Sequence, residues 1–370
     1  MQATKRVKFL NKNKSLFYPT LKKRVDQYFT DRQIPKHANN SMILKTIVLL
    51  LTYILPFPLL LAWQPGLGLS LVLWFIMGLG IAGIGMSIMH DANHGAYSEN
   101  KIINYLVGHS LNLVGGSVFN WKLQHNILHH TYTNIAHIDE DIQDRLVLRF
   151  SPHTLVKKYH QLQYIYAFFF YGLLTLYWVL AKDFIQFIQF TTKGVNPQSK
   201  KENTLTLIKI VASKILYFLV IFGLPVFVFN IPFLEVLAGF FLMHFTAGII
   251  LTVVFQLAHT VEGTSHPLPD AQGNIENDWA IHQLNTTVNF SPDNKFIGWY
   301  VGGLNYQIEH HLFPRICHVH YPQIAGIVKE TAAEFGIPYM VNPTFGKALK
   351  SHLATLHRFG PLPDWNTAIG

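Results

Sequence analysis

GLGLSLVLWFIMGLGIAGIGMSIMHDANHG, residues 66–95, decides the fold. Gly66 to Met89 is 24 residues long without one charged side chain, and a helix of about 20 apolar residues spans the hydrocarbon core of a bilayer. The charge-free run ends directly in His90-Asp91-Ala92-Asn93-His94. If the helix continues through these residues, positions four apart share a face, so His90 and His94 project together from the end of a membrane span.

Three more segments have the length and apolarity to cross: Ser41 to Trp63, Leu205 to Asn230 (with Lys209 and Lys214 inside it) and Pro232 to Ala258. The joining turns, Gln64-Pro65-Gly66 and Ile231-Pro232-Phe233, are short and lack Lys and Arg. Lysine and arginine are retained on the cytoplasmic side, so the four spans read as two hairpins whose tips point away from the cytoplasm. The first 24 residues hold eight basic side chains (Lys5, Arg6, Lys8, Lys12, Lys14, Lys22, Lys23, Arg24) and no acidic one. That places the N-terminus in the cytoplasm, and membrane topology accounts for this charge without any nucleic-acid partner. The segment is too long and too charged for a cleaved leader.

Each hairpin then returns the chain to the cytoplasm where histidines appear, at His90 and at His259. The apolar stretches Ile102 to Phe119 and Gln163 to Ala181 read as interfacial or re-entrant, because a lone crossing would put the later histidines on the opposite side. The expected fold is an all-α integral membrane protein: four transmembrane helices in two hairpins, interfacial helices, and a cytoplasmic cap carrying a histidine-rich di-metal site. Residues 1–40 form a basic cytoplasmic segment, 41–322 the membrane domain and 323–370 a cytoplasmic C-terminal segment.

Composition agrees, with 50% hydrophobic and only 13% charged residues, where soluble domains carry roughly 25% charged. The single cysteine, Cys317, forms no internal disulfide and no thiolate cluster, whereas histidine is abundant at 20. His37, His153, His160, His352 and His357 read as surface or interfacial, and His109 and His244 as structural.

The remainder cluster as His90 and His94; His125, His129 and His130 in His125-Asn126-Ile127-Leu128-His129-His130; and His310 and His311 in Gln307-Ile308-Glu309-His310-His311. Seven imidazoles exceed what one ion of tetrahedral or octahedral geometry takes, so two metals are expected, of a kind that accepts imidazole: zinc, copper, iron or nickel. His259, closing the fourth span, is an eighth candidate ligand. Ligating histidines donate their second ring N–H to carboxylates or carbonyls, which assigns that orienting role to Asp91, Asp139 and Asp141. Glu309 is a weaker candidate, and the Asp139 to Asp144 run reads equally as a solvated acidic loop. Intramembrane transport is disfavoured, since the polar residues sit at span ends rather than mid-span.

The motifs HDANH, HNILHH and QIEHH, in this order relative to the spans, resemble those of the membrane fatty acid desaturases, over roughly Ser41 to Pro322. Glutamine at position 307, within Asn305-Tyr306-Gln307-Ile308-Glu309-His310-His311-Leu312-Phe313-Pro314, resembles the front-end, linoleoyl-CoA or delta-6 type. The resemblance implies a non-heme di-iron oxidoreductase that uses O2 and two electrons to desaturate a fatty acyl-CoA or acyl lipid. The implied ligands are His90, His94, His125, His129, His130, His310 and His311, with His259 as the extra histidine and Gln307 in a further ligand slot; no catalytic residue is implied beyond them. Fused cytochrome b5 domains of such enzymes carry His-Pro-Gly-Gly, and this chain has only His266-Pro267-Leu268. No bound heme is therefore expected, and a separate ferredoxin or cytochrome b5 with its reductase is the expected donor. A lipid or carotenoid hydroxylase on the same scaffold is the alternative. The substrate tunnel is expected near Phe119 to Trp121 or Trp279 to Tyr300.

Overall fold

The computed structural model describes residues 7–11, 14–143 and 147–362; Lys5, Arg6 and Lys12 of the basic segment and Asp144 of the acidic run lie outside them. The chain forms two compact units: Ala38–Leu123 with Phe168–Val253, and Met1–His37 with Gln124–Ala167 and Val254–Gly370.

The first of these is the membrane unit. Among the described residues four helices are long and apolar enough to cross a bilayer: Asn40–Trp63, Leu67–His94, Lys200–Val228 and Phe233–His259. The first starts where the Asn39 side chain accepts a hydrogen bond from the Met42 amide (3.1 Å). It turns Leu44, Leu51 and Leu55 outward and Met42 and Leu49 inward, as a helix facing lipid on one side requires. The third begins five residues ahead of the expected Leu205, because Ser199 and Glu202 form a reciprocal cap that stabilises an extra polar turn.

Glycines set how closely the spans approach. A Cβ on Gly78 would lie 2.5 Å from the Met243 carbonyl oxygen, and one on Gly80 2.7 Å from the Tyr53 backbone. Bare backbone at these two positions therefore lets the second span pack against the fourth and the first, as small residues do between membrane helices. The third and fourth spans meet through aromatic rings, Phe222 with Phe240 at 4.9 Å and Phe218 with Phe240 at 6.1 Å.

The stretch expected to lie in the interface or re-enter, Gln163 to Ala181, falls across two helices, Lys158–Gly172 and Leu174–Thr192, bent by 51°. Ile102 to Phe119 likewise breaks into short pieces, Lys101–Gly108 and Ser110–Leu113 leading into Val118–Trp121. Ile102 and Leu106 are exposed there.

Among the described residues, the other unit holds no long apolar helix of its own. Its helix Phe17–Arg32 buries Phe17, Leu21, Val25 and Phe29, four residues apart, against Ile308, Leu312, Tyr321, Ile324 and Val328. Arg24 adds a two-pronged pair to Glu334, both contacts 2.8 Å. The basic N-terminal segment is thus partly built into the fold. Two short parallel strand pairs close it, Lys8–Phe9 with Asn274–Ile275 and Asn289–Phe290 with Val341–Asn342.

Three histidines depart from their expected surface placement. His153, His160 and His352 are all buried, because one ring nitrogen of each finds a backbone group: His153 Nε2 meets the His266 carbonyl (2.7 Å), His160 Nδ1 accepts from the Lys157 amide (3.1 Å), and His352 Nδ1 meets the Thr260 carbonyl (2.7 Å). His357 is exposed and His37 half-buried.

Candidate metal centre

In the membrane unit, His90 and His94 stand on the last turn of the second span, which ends at Gly95 with φ +75°. Just before them, Ile84–Ile88 forms a π-helical turn. One residue extra in a turn rotates all following side chains by about 100° around the axis, which re-aims the histidine pair relative to the apolar face below it. Their rings lie 4.8 Å apart, and the buried Trp121 ring makes edge contacts with both, at 5.8 Å and 5.7 Å. Asn93 donates to the Gly108 carbonyl (3.1 Å), tying the box to the next helix. The Asp91 carboxylate is 3.7 Å from His90 Nδ1, longer than a hydrogen bond.

The other unit gathers six of the expected imidazoles. Its first two, His125 and His129, come from a second π-helical segment, Lys122–His129, rather than the regular helix that their i, i+4 spacing predicts. Rings four apart still meet, at 5.3 Å, and His130 follows at the start of a normal turn. His310 and His311 are carried by the short helix Gln307–Leu312, and His259 by the end of the fourth span. All six are buried.

Each of four rings is fixed through Nδ1. His129 Nδ1–H donates to Asp139 (3.1 and 3.2 Å), with Asp141 Oδ2 at 3.3 Å. His259 Nδ1 faces the Thr286 carbonyl (3.2 Å), His310 Nδ1 the Tyr321 hydroxyl (3.2 Å), and His311 Nδ1 the Gln283 side-chain oxygen (2.8 Å). Asp139 is itself held by the amides of Asn134 (2.9 Å) and Asp141 (3.0 Å). Asp139 and Asp141, two of the carboxylates expected to orient ligands, thus both lie at His129 Nδ1. Burial opposes a charge on His129, yet these two carboxylates outweigh it and raise its pKa to about 9.

Glu309 does not orient a histidine through the hydrogen bonds it makes to Asn289 (2.7 Å) and Tyr339 (2.8 Å). Burial raises its carboxyl to about 7 against those bonds.

The arrangement fits metal. One donor nitrogen from each of His129, His259 and His311 lies within 4.8 Å of the other two. The Nε2 atoms of His129 and His259 and the Gln307 amide nitrogen are buried without a hydrogen-bond partner among the described residues. Buried polar atoms normally have partners, so convergent bare imidazole nitrogens mark a place for an ion. His125 Nε2 and His130 Nε2 stand 3.2 Å apart, close to the roughly 3 Å between neighbouring ligands at right angles around an ion with bonds near 2.1 Å.

Sequence reasoning did not find Gln283 or Tyr321. On the helix Trp279–Thr286, Trp279 Nε1 and Gln283 Nε2 donate to the same His130 carbonyl, at 3.1 and 3.2 Å. Gln283 Oε1 also accepts from Thr133 (2.9 Å). The i, i+4 spacing of Trp279 and Gln283 is the one signal that they share a face; nothing in the sequence says which.

The family model described as fatty acid desaturase matches residues 68–343. An sn-1 linoleoyl-lipid 6-desaturase of Synechocystis sp. is 36% identical over 364 residues, 97% of this chain and 99% of that protein. A second enzyme of that description, from Arthrospira platensis, is 36% identical over 94% of each chain. An acyl-lipid (8-3)-desaturase of Physcomitrium patens is 38% identical over 93% of this chain and 72% of its own length.

Proposed function

The chain belongs to the fatty acid desaturase family, and from that premise we propose that it is a front-end acyl-lipid desaturase, inserting a double bond between the carboxyl end and an existing double bond of a lipid-bound acyl chain. The observation that carries this reading is the similarity, over 99% of its length, to a desaturase named for linoleoyl lipid. Gln307 in the third box points the same way. The desaturases matched here give no support to the hydroxylase alternative.

The proposed cofactor is a pair of non-heme irons with O2 as co-substrate, held by His90, His94, His125, His129, His130, His259, His310 and His311, with Gln307 in a further slot. An unactivated methylene C–H bond is beyond any side-chain acid or base, and the metal pair supplies the oxidising chemistry when bound. The protein's part is orientation. Asp139, the Thr286 carbonyl, Tyr321 and Gln283 each hold one Nδ1 so that Nε2 points inward. Burial of every box histidine except the half-buried His94 keeps bulk water from the reacting carbon.

Two electrons per turnover come, in this reading, from a separate ferredoxin or cytochrome b5 with its reductase. The net charge of +9 favours an acidic carrier by steering. The chain sits in the membrane as two hairpins with both termini and all three boxes on the cytoplasmic face.

Expression in a host fed defined saturated and unsaturated acyl chains, with gas chromatography of lipid-class fractions, tests the reading. A new double bond on the carboxyl side of an existing one, appearing first in membrane lipids, is expected. Hydroxylated products, or product first in the acyl-CoA pool, would overturn it.

A further inference from the structure

The membrane unit buries an ion pair that the desaturation chemistry described above does not use. Lys214, in the third span, places its ammonium 2.7 Å from the Asp183 carboxylate; the two side chains are 7% and 0% exposed. Charges in a membrane-spanning segment are costly, so they are retained where they do something specific. This pair also has a defined surrounding. Lys214 Nζ donates to the carbonyls of Gly115 and Trp178 (3.1 Å to the latter), and the Trp178 indole N–H donates to Asp183 (3.0 Å).

The Gly115 carbonyl reaches the ammonium only from a turn that requires glycine. Its φ is +84°, and a Cβ there would lie 2.5 Å from Val179.

From Asp183 the contacts run on toward the first histidine box. Asn120 is fully buried, and its side-chain amide donates both to the Asp183 main-chain carbonyl (2.6 Å) and to the Asp183 carboxylate (3.5 Å). The next residue is Trp121, the ring whose edge contacts flank both His90 and His94. Asn120 and Trp121 share one short helical turn, Val118–Trp121, so the backbone that Asn120 anchors also carries the indole.

We propose that the Asp183–Lys214 ion pair is a positioning device for the first histidine pair, acting through Asn120 and Trp121. The residues touch neither substrate nor metal. Their effect is to hold the indole that sets the separation and tilt of the two imidazoles. The inference rests on the proposed ligand role of His90 and His94.

The test compares purified full-length proteins by metal-to-protein ratio after iron loading, melting temperature and kcat. His94→Ala is the control: it is expected to drop the ratio from two to about one, and a retained ratio of two would sink the ligand reading itself. Given that drop, Asp183→Asn and Asn120→Ala are expected to bring the ratio below 1.5 and lower kcat at least tenfold with KM within about twofold. Lys214→Arg, which keeps the pair, is expected to restore the ratio. The positioning role is refuted if the His94 control loses an ion while Asp183→Asn and Asn120→Ala keep both. It is equally refuted if they lose both ions in proportion to a lowered melting temperature. Trp121→Phe covers the case where Asp183→Asn does not fold: it leaves the ion pair intact and is expected to lower the ratio as well.

Discussion

Asp139 has no solvent exposure and commits both oxygens: to His129 Nδ1 and to the amides of Asn134 and Asp141. A carboxylate so held makes its imidazole partner more basic and fixes its tilt. Removing such an orienting partner weakens metal binding by roughly 10–100-fold. Asp139→Asn is therefore expected to release metal at chelator concentrations that leave the unaltered protein loaded, read by metal analysis after dialysis. Unchanged retention would mean that His129 needs no such partner. The grouping of the histidines was legible at this scale because clustering is a sequence property. Their surroundings were not: Asp139 was named from its neighbourhood, but Gln283 and Tyr321 act across sequence separations of 28 and 11 residues. His153, His160 and His352 read as surface residues because composition cannot reveal a backbone partner.

Helices differ in how much of themselves they announce. The four spans are legible because apolarity over some 20 residues has few other meanings. The π-helical turns at Ile84–Ile88 and Lys122–His129 leave no such mark, since an extra residue in a turn is a response to packing. Two short helices of the unit that holds His129 carry a pH consequence. His282, on Trp279–Thr286, and His352, on Phe345–Phe359, are buried neutral against the carbonyls of Thr133 and Thr260. Burial lowers both to about 4, against the upward pull of those carbonyls. The unfolded chain takes up these protons near pH 6.5 and the folded one only near pH 4, so stability is lost as pH falls through that window and is unaffected above it. Each costs on the order of 1 kcal/mol by pH 5.5. Melting in detergent is expected at a lower temperature at pH 5.5 than at pH 7.5, with a smaller difference in the His352→Gln protein. An equal difference would show that His352 takes no part.

For the whole molecule, the proposed orientation rests on charge: the turns within the two proposed hairpins, Gln64-Pro65-Gly66 and Ile231-Pro232-Phe233, lack Lys and Arg, and basic segments lie outside them. Glycosylation acceptors introduced between Gln198 and Glu202 are expected to stay unmodified, and one in a lengthened turn at Gln64–Gly66 to be modified. Modification at the first site would invert the proposed sidedness. Of this protein the sequence by itself determined the membrane spans, the histidine-rich clusters and, through its motifs, the family, because hydropathy and ligand spacing are local properties that survive without a fold. The tertiary structure decided which buried groups hold each ring, that the basic N-terminal helix packs beside the third box, and that Lys214 is paired with Asp183. Each of these depends on residues far apart in the chain being brought within about 3 Å, and no local pattern encodes a distance across a fold.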